Sequence, residues 1–389
     1  FATAETAAIF YAMGITQHTT GTDNVKALAN LAMLTGNVGK ENSGVNPLRG
    51  QNNVQGACDM GALPNVFPGY QPVTDEKVRE KFETAWGVKV PSQPGLTIME
   101  IMNGAIEGKI KALYIMGEDP LTSDPNVNHV REAIEALDFL VVQDIFLSEV
   151  GKHADVVLPG VSFAEKEGTF TNTERRVQKV RKAISPIGQA QPDGEIILKL
   201  FERAGYKQNY KSSEEIFTEI AKLTPQYGGI TYARIEKEGG LQWPCPNINH
   251  PGTKYLHKYN FTRGKGKFFP VEFINPDELP DVEYPYLLTT GRVLYHWHGG
   301  NLSRRSDGLK AIYPEGLIEI NPADAETLGV KDGEIVTVES RRGKVTGKVK
   351  ITSKTAAGIV FMTFHFVEVL ANLLTNDALD PTAKILEYK

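Results

Sequence analysis

Two cysteines, Cys58 and Cys245, are all that 389 residues carry. That excludes a disulfide framework, and neither cysteine stands in a CxxC or Cys/His spacing that binds zinc or an iron–sulfur cluster. A reduced chain in a cytoplasmic location is expected. No run approaches the ~18 to 20 apolar residues that cross a bilayer, and no secretory leader pattern is present, so no membrane segment is expected. Charge of one sign is lacking too: 42 Lys plus Arg face 47 Asp plus Glu, which disfavours disorder and a nucleic-acid partner. GxGxxG, GxxxxGK[ST], GxSxG and HExxH do not occur, which weakens the simplest dehydrogenase, NTPase, esterase and metalloprotease readings. The chain opens at Phe1 with a helical pattern over Glu5 to Met13 that has no start signal upstream. A fragment or processed chain of something longer is expected.

What is present fills two or three domains at the usual length per domain. From Gly108 to Pro159 the pattern is βαβ: apolar runs at Ile110 to Met116, Phe139 to Val142 and Ala154 to Leu158, with an amphipathic segment at Val127 to Leu137. This predicts a parallel, Rossmann-like sheet whose ligand lies at the carboxyl ends of the strands, at Gly117, Glu118, Asp119, Gln143 and Asp144. Helical spacing follows at Glu195 to Ala204 and Ser213 to Leu223, the latter capped by Ser212 or Ser213. Residues 226–285 interleave Pro, Gly and aromatics without a period and read as an irregular connection. Beyond them short β runs predict a closed or nearly closed barrel. In it, Asn321-Pro322 starts one helix, and Arg341-Arg342-Gly343 makes a hairpin turn with a left-handed Gly343. The fold class is therefore α/β, with parallel-sheet Rossmann-like domains and a C-terminal β-barrel. Its expected divisions are residues 1–51, the end of a cofactor-binding α/β domain; 52–225, a second α/β domain; 226–285, the connection; and 286–389, the barrel.

Two segments carry chemistry. Asn46 to Gly61 is dominated by carboxamides and glycines around Arg49 and Cys58. Such a loop presents many hydrogen-bond donors, and an arginine adds a charged fork suited to a carboxylate; the same composition also describes a solvated turn. Gly291 to Asn301 follows a strand and holds Arg292, His296, Trp297 and His298. Those rings can stack on a flat heterocycle, pack structurally, or offer an incomplete two-ligand metal site from His296 and His298 on one side of an extended chain. Asp119 and Asp144 at strand ends suit the N1–H and exocyclic amine of guanine, and suit helix capping equally.

Taken in order, Ala12-Met13-Gly14-Ile15-Thr16-Gln17-His18, the run Gly44 to Gly56, Tyr114 to Pro120, Val142 to Ile145, Ala154 to Pro159, Glu167 to Asn172, Arg292 to His298 and Phe361 to Phe366 resemble the catalytic subunit of formate dehydrogenases in the molybdopterin oxidoreductase family. The resemblance covers the chain from end to end. It implies a bis-molybdopterin guanine dinucleotide centre with molybdenum or tungsten. Arg49 would orient formate and Gln51 would hold the pterin pocket. Met13, Gly14 and Gln17 would line a cofactor; Gly117, Asp119, Gln143, Asp144 and Asp193 would bind a guanosine diphosphate arm. Arg292, His296 and His298 would bind the pterin side, and His365, Phe366, Asn372, Tyr388 and Lys389 would close over it. A buried arginine would neutralise the substrate. The family's cysteine motif for a 4Fe-4S cluster, and the selenocysteine or cysteine that ligates the metal, have no counterpart here, so the chain resembles the C-terminal part of the subunit and alone would be inactive. Iron–sulfur or flavin subunits are the implied electron-transfer partners. Rival readings are a nitrate reductase or formylmethanofuran dehydrogenase subunit, or a non-catalytic descendant of the fold.

Overall fold

In the computed structural model, which describes residues 1–206 and 208–388, Ala8–Tyr11 is a strand, not the helix that its spacing predicts. It pairs in parallel with Gly44–Pro47, Ala8 opposite Gly44 and Tyr11 opposite Pro47. Ile9, Phe10 and Tyr11 suit a pleated surface better than a helix, and the partner strand decides what local spacing leaves open. Buried Asn37 fixes the entry by accepting the Ala7 N–H at 2.9 Å. Pro47 is admitted because the sheet has only these two strands.

The chain forms two units, each assembled from separated segments. The first comprises Phe1–Ala12, Lys26–Glu100 and Pro159–Pro270. Its core joins Val177, Phe217, Tyr227, Ile230, Tyr232, Ile235, Leu241 and Cys245, so Cys245 is a small buried side chain. An antiparallel sheet in the order Leu241–Gln242, Arg176–Val180, Gly168–Thr171 supports it. Helix Ser213–Leu223 is capped as expected, with Ser212 accepting the Glu215 N–H. Helix Tyr232–Glu238 lies within the stretch read as irregular, and closes on left-handed Gly239. Its amphipathic run is too short for a periodicity argument to detect.

The second unit comprises Met13–Val25, Ile101–Leu158 and Val271–Lys389. The predicted βαβ pattern is there: Ala112–Met116 and Phe139–Asp144 pair in parallel, and Val156–Pro159 follows in the sheet. Helix Val127–Glu135 connects the first two and buries Val127, Val130, Ala133 and Ile134. The C-terminal β region is a curled five-stranded sheet, a half-barrel. Its order is Leu287–Gly291, Ile359–Thr363, Leu317–Ile320, Gly343–Ile351, Ile335–Ser340. Ile318, Ile320, Val345, Val349, Val360, Met362 and Leu374 pack together in one buried cluster. Asn321 caps helix Pro322–Leu328, accepting the Ala323 N–H at 2.9 Å, with Pro322 at the first helical turn.

The hairpin at 341 forms, but Gly343 is not its left-handed residue. Ser340 pairs with Gly343, which leaves Arg341 and Arg342 as the two-residue turn. Glycine is needed there for space: a Cβ would lie 2.9 Å from the Leu373 carbonyl oxygen. Among the described residues no helix is long and apolar enough to cross a membrane.

Met362 is fully buried on a strand flanked by two others. Met362→Ala is expected to cost about 2–5 kcal/mol of unfolding free energy in denaturant titration. A cost below about 1 kcal/mol would show that this core does not hold the sheet together.

Candidate functional site

In the first unit, strand Gly44–Pro47 runs out into the turn that carries Arg49 and Gln51, and helix Val54–Asp59 begins directly after it. Carboxamides tie this turn down. Asn53 Oδ1 accepts the Thr171 N–H at 2.9 Å, and a Cβ on Gly56 would come within 2.2 Å of that same oxygen. The glycine is therefore required by close approach. Gln55 and Asp59, four apart, share a face of the short helix. Gln55 Oε1 accepts the Arg49 Nε–H at 3.0 Å, while its Nε2 donates to Asp59 Oδ1 at 2.7 Å. Asp59 is fully buried. Tyr70 donates to the same oxygen at 2.9 Å, and Tyr227 and Trp243 each donate to the other at 2.7 Å.

Arg49 itself is exposed, in contrast to the buried arginine expected, because only its Nε reaches the helix. Gln51 is exposed as well. Burial pushes the Cys58 thiol up, and Arg49 only partly opposes this, so it is not a ready thiolate. Sequence reasoning gave no roles to Gln55, Asp59, Tyr70, Tyr227 and Trp243. Only the i, i+4 spacing of Gln55 and Asp59 signalled any of them. Asp193 begins helix Asp193–Arg203 in this unit and is paired with Lys166.

In the second unit, the predicted strand-end residues come together. Gly117 takes a left-handed φ of 65° after the first strand and donates to the Gln143 carbonyl at 2.8 Å. Gln143 is buried and its side-chain oxygen accepts from Tyr114. Asp144 is half-buried and accepts the Ile145 N–H at 2.7 Å; burial pushes its carboxyl up. The Asp119 oxygens accept the Glu149 and Val150 N–H groups at 3.0 and 2.9 Å and so start the 3-10 turn Val150–His153.

The segment after strand Leu287–Gly291 is folded around His365. Its Nε2 accepts the Val293 N–H at 2.9 Å and its Nδ1 donates to the His298 carbonyl. The ring is therefore neutral with one tautomer, and burial holds it down to about 4. His296 and His298 do not share a side of an extended chain, because the backbone turns and His298 has a φ of 45°. His296 is buried, with Nε2 donating to the Tyr313 carbonyl at 2.7 Å and Nδ1 against Ser303 Oγ at 3.2 Å. It also packs edge-on against Phe366. Arginine can only donate, so the 2.9 Å contact from Arg292 makes His298 Nδ1 an acceptor and puts the ring proton on Nε2. That Nε2 is buried and has no partner among the described residues. Arg292 also lies 4.6 Å from the Phe364 ring and 3.6 Å from Met13 Sδ.

Met13 and Gly14 form the helical turn Met13–Thr16, and Gln17 closes it through a backbone bond to Met13. Asn372 donates to the carbonyls of Thr122 and Ser123, leaving a buried Oδ1 unpartnered. Tyr388 is half-buried and burial pushes its phenol up; Lys389 lies outside the described residues. A nitrogen- and oxygen-rich ligand fits this unit. His298 Nε2 is a donor and Asn372 Oδ1 an acceptor, both buried and without a partner among the described residues, and leaving such groups unpaired costs about 1–3 kcal/mol each. No cluster of three or more metal-ligating side chains exists among the described residues.

Comparisons with known proteins cover most of the chain. Residues 1–203 match a family model described as molybdopterin oxidoreductase, and residues 286–389 one described as molydopterin dinucleotide binding domain. The F420-dependent formate dehydrogenase subunit alpha of Methanocaldococcus jannaschii is 57% identical over 394 residues, covering all of this chain and 58% of that protein. Formate dehydrogenase H of Escherichia coli is 42% identical over 396 residues, covering all of this chain and 55% of that protein. The chain thus spans less than two thirds of these relatives. The structure of acetylene hydratase from Pelobacter acetylenicus superposes with a TM-score of 0.67 at 17% identity, over 98% of this chain and 59% of that one, a likeness of fold.

Because the fold holds His365 neutral, its contribution to stability is complete above the ordinary histidine pKa of 6.5 and is lost as pH falls from there toward 4. His365→Gln keeps an acceptor for Val293 and has no proton to take up. The stability difference between the native chain and this variant, measured by denaturant unfolding from pH 7.5 to 4, is expected to change with a slope of at most about 1.4 kcal/mol per pH unit. A constant difference would mean that His365 is not held neutral.

Proposed function

The chain belongs to the molybdopterin oxidoreductase family, and on that premise we propose that it is part of a formate dehydrogenase catalytic subunit, which oxidises formate reversibly to carbon dioxide. The observation that carries the reading is the Arg49 turn: a guanidinium held by Nε alone, with both Nη groups unpartnered among the described residues. A small carboxylate needs its charge neutralised and its C–H aligned, and a guanidinium fork does both. Relatives named as formate dehydrogenases support this substrate.

In the same reading, a bis-molybdopterin guanine dinucleotide with molybdenum or tungsten is held by this chain's residues. Residues 52–225 serve one guanine arm through Gly117, Asp119, Gln143 and Asp144. Asp193 is assigned to the same arm. Residues 286–389 serve the pterin side: His298 Nε2 donates, Asn372 Oδ1 accepts, and Arg292 supplies positive charge. His296, His365 and Phe366 hold the loop that presents them, while Met13, Gly14, Gln17, Gln51 and Tyr388 line the cofactor. When bound, the metal–dithiolene group supplies the two-electron acceptance, and the protein contributes orientation and electrostatics. A 4Fe-4S cluster and iron–sulfur or flavin subunits carry the electrons onward in this proposal. The F420-dependence in one relative's name supports F420 as a terminal acceptor.

The test is metal and pterin content with formate-dependent dye reduction on the native holoenzyme. Molybdenum or tungsten with two guanine dinucleotides and formate turnover is expected. Cofactor without formate turnover would move the reading to an oxyanion reductase or formylmethanofuran dehydrogenase subunit, and no cofactor to a structural descendant. Arg49→Lys should lower formate kcat/KM by roughly 10- to 100-fold with cofactor content unchanged, because an ammonium lacks the fork. Unaltered kinetics would remove Arg49 from substrate binding.

A further inference from the structure

The network beneath Arg49 has a fixed polarity. A carboxylate can only accept, and all four bonds at Asp59 are donated to it: by Gln55 Nε2, Tyr70, Tyr227 and Trp243. Burial and the neighbouring Asp59 both push the Tyr70 and Tyr227 phenols up, so they remain donors. Facing this carboxylate, the Gln55 amide has one stable orientation, with the NH2 toward Asp59 and the carbonyl away. The carbonyl meets the Nε–H of Arg49 at 3.0 Å. Gln55 is 6% exposed and Asp59 is fully buried, so water does not compete for the amide as it would at a surface.

A guanidinium has two edges that can take a carboxylate bidentately, Nε with one Nη, or Nη1 with Nη2. With Nε engaged by Gln55, the first is closed. We propose that Gln55, locked by Asp59, is the positioning residue of the substrate arginine, and makes Arg49 present its Nη1–Nη2 edge to the incoming carboxylate. This rests on the reading that Arg49 receives formate. Gln55 touches neither substrate nor cofactor; it acts only through Arg49 Nε.

That route is what the experiment reads. Lysine has no Nε–H equivalent, so whatever Gln55 does through it must vanish when residue 49 is Lys. Formate kcat and KM are measured on the native holoenzyme for Gln55→Leu, Arg49→Lys and the double variant, with metal content and thermal midpoint as checks on assembly. Gln55→Leu is expected to lower kcat/KM roughly tenfold or more and to have no further effect in the Arg49→Lys background. Losses that simply multiply in the double variant would overturn the inference and leave Gln55 a packing residue. An Arg49→Lys variant with native kinetics would instead overturn the reading of Arg49, and the inference with it. Gln55→Met, closer in length and flexibility, carries the same cycle if Gln55→Leu fails to load its cofactor.

Discussion

A carboxylate without access to water must be surrounded by donors, and the donors must be held by something rigid. Asp59 meets the first condition with four hydrogen bonds from an amide, two phenols and an indole. The second is met by distance along the chain. Tyr227 is part of the first unit's core, and Trp243 follows the strand Leu241–Gln242 that edges its sheet. Residues 168 and 184 positions away from Asp59 are therefore fastened to the turn that carries Arg49. Removing any one donor leaves a buried charge short of a partner, a defect that costs more than a lost surface contact. The exposed arginine thus depends on a buried acid that it does not touch.

The second unit uses neutral rings to the same end. His365 spans the loop after Leu287–Gly291 with one nitrogen accepting and the other donating. A charged imidazole could not do this, since both nitrogens would then be donors. Gly300 allows the close approach: a Cβ there would lie 2.4 Å from the His365 carbonyl. With the loop fixed, the Arg292 contact selects the His298 tautomer and aims its remaining N–H where no described group meets it. Rigid support and an open valence go together in both units.

The sequence was legible where local pattern and tertiary demand agree. The βαβ unit, the Ser212 and Asn321 caps and the β character of the last hundred residues all come from short-range rules. The helical spacing over Glu5 to Met13 misled, because strand Gly44–Pro47, more than thirty residues on, takes the backbone bonds of Ala8–Tyr11. Gly343 misled for a related reason: a contact with Leu373 needs the missing Cβ, and no local pattern records that. Among the candidate site residues, Arg49, Gln143, Asp144 and Arg292 stood out by residue type and motif. Tyr70, Tyr227 and Trp243 did not, because an aromatic in a mixed stretch carries no sign that its polar atom faces a carboxylate.

Motif position treats His296 and His298 as an equivalent pair, and hydrogen bonding separates them. Both nitrogens of His296 have partners within the chain. His298 keeps a buried N–H without a partner among the described residues. A fully satisfied polar group stabilises the fold and has nothing left to offer a ligand, whereas a buried unsatisfied one raises the free energy of the chain until something binds. The same reasoning divides Gln55 from Arg49: every polar atom that Gln55 turns toward the network is paired, and the Nη groups of Arg49 are not. Hydrogen-bond accounting therefore sorts neighbours within one motif by what each has left unpaired, which residue type and spacing alone do not do.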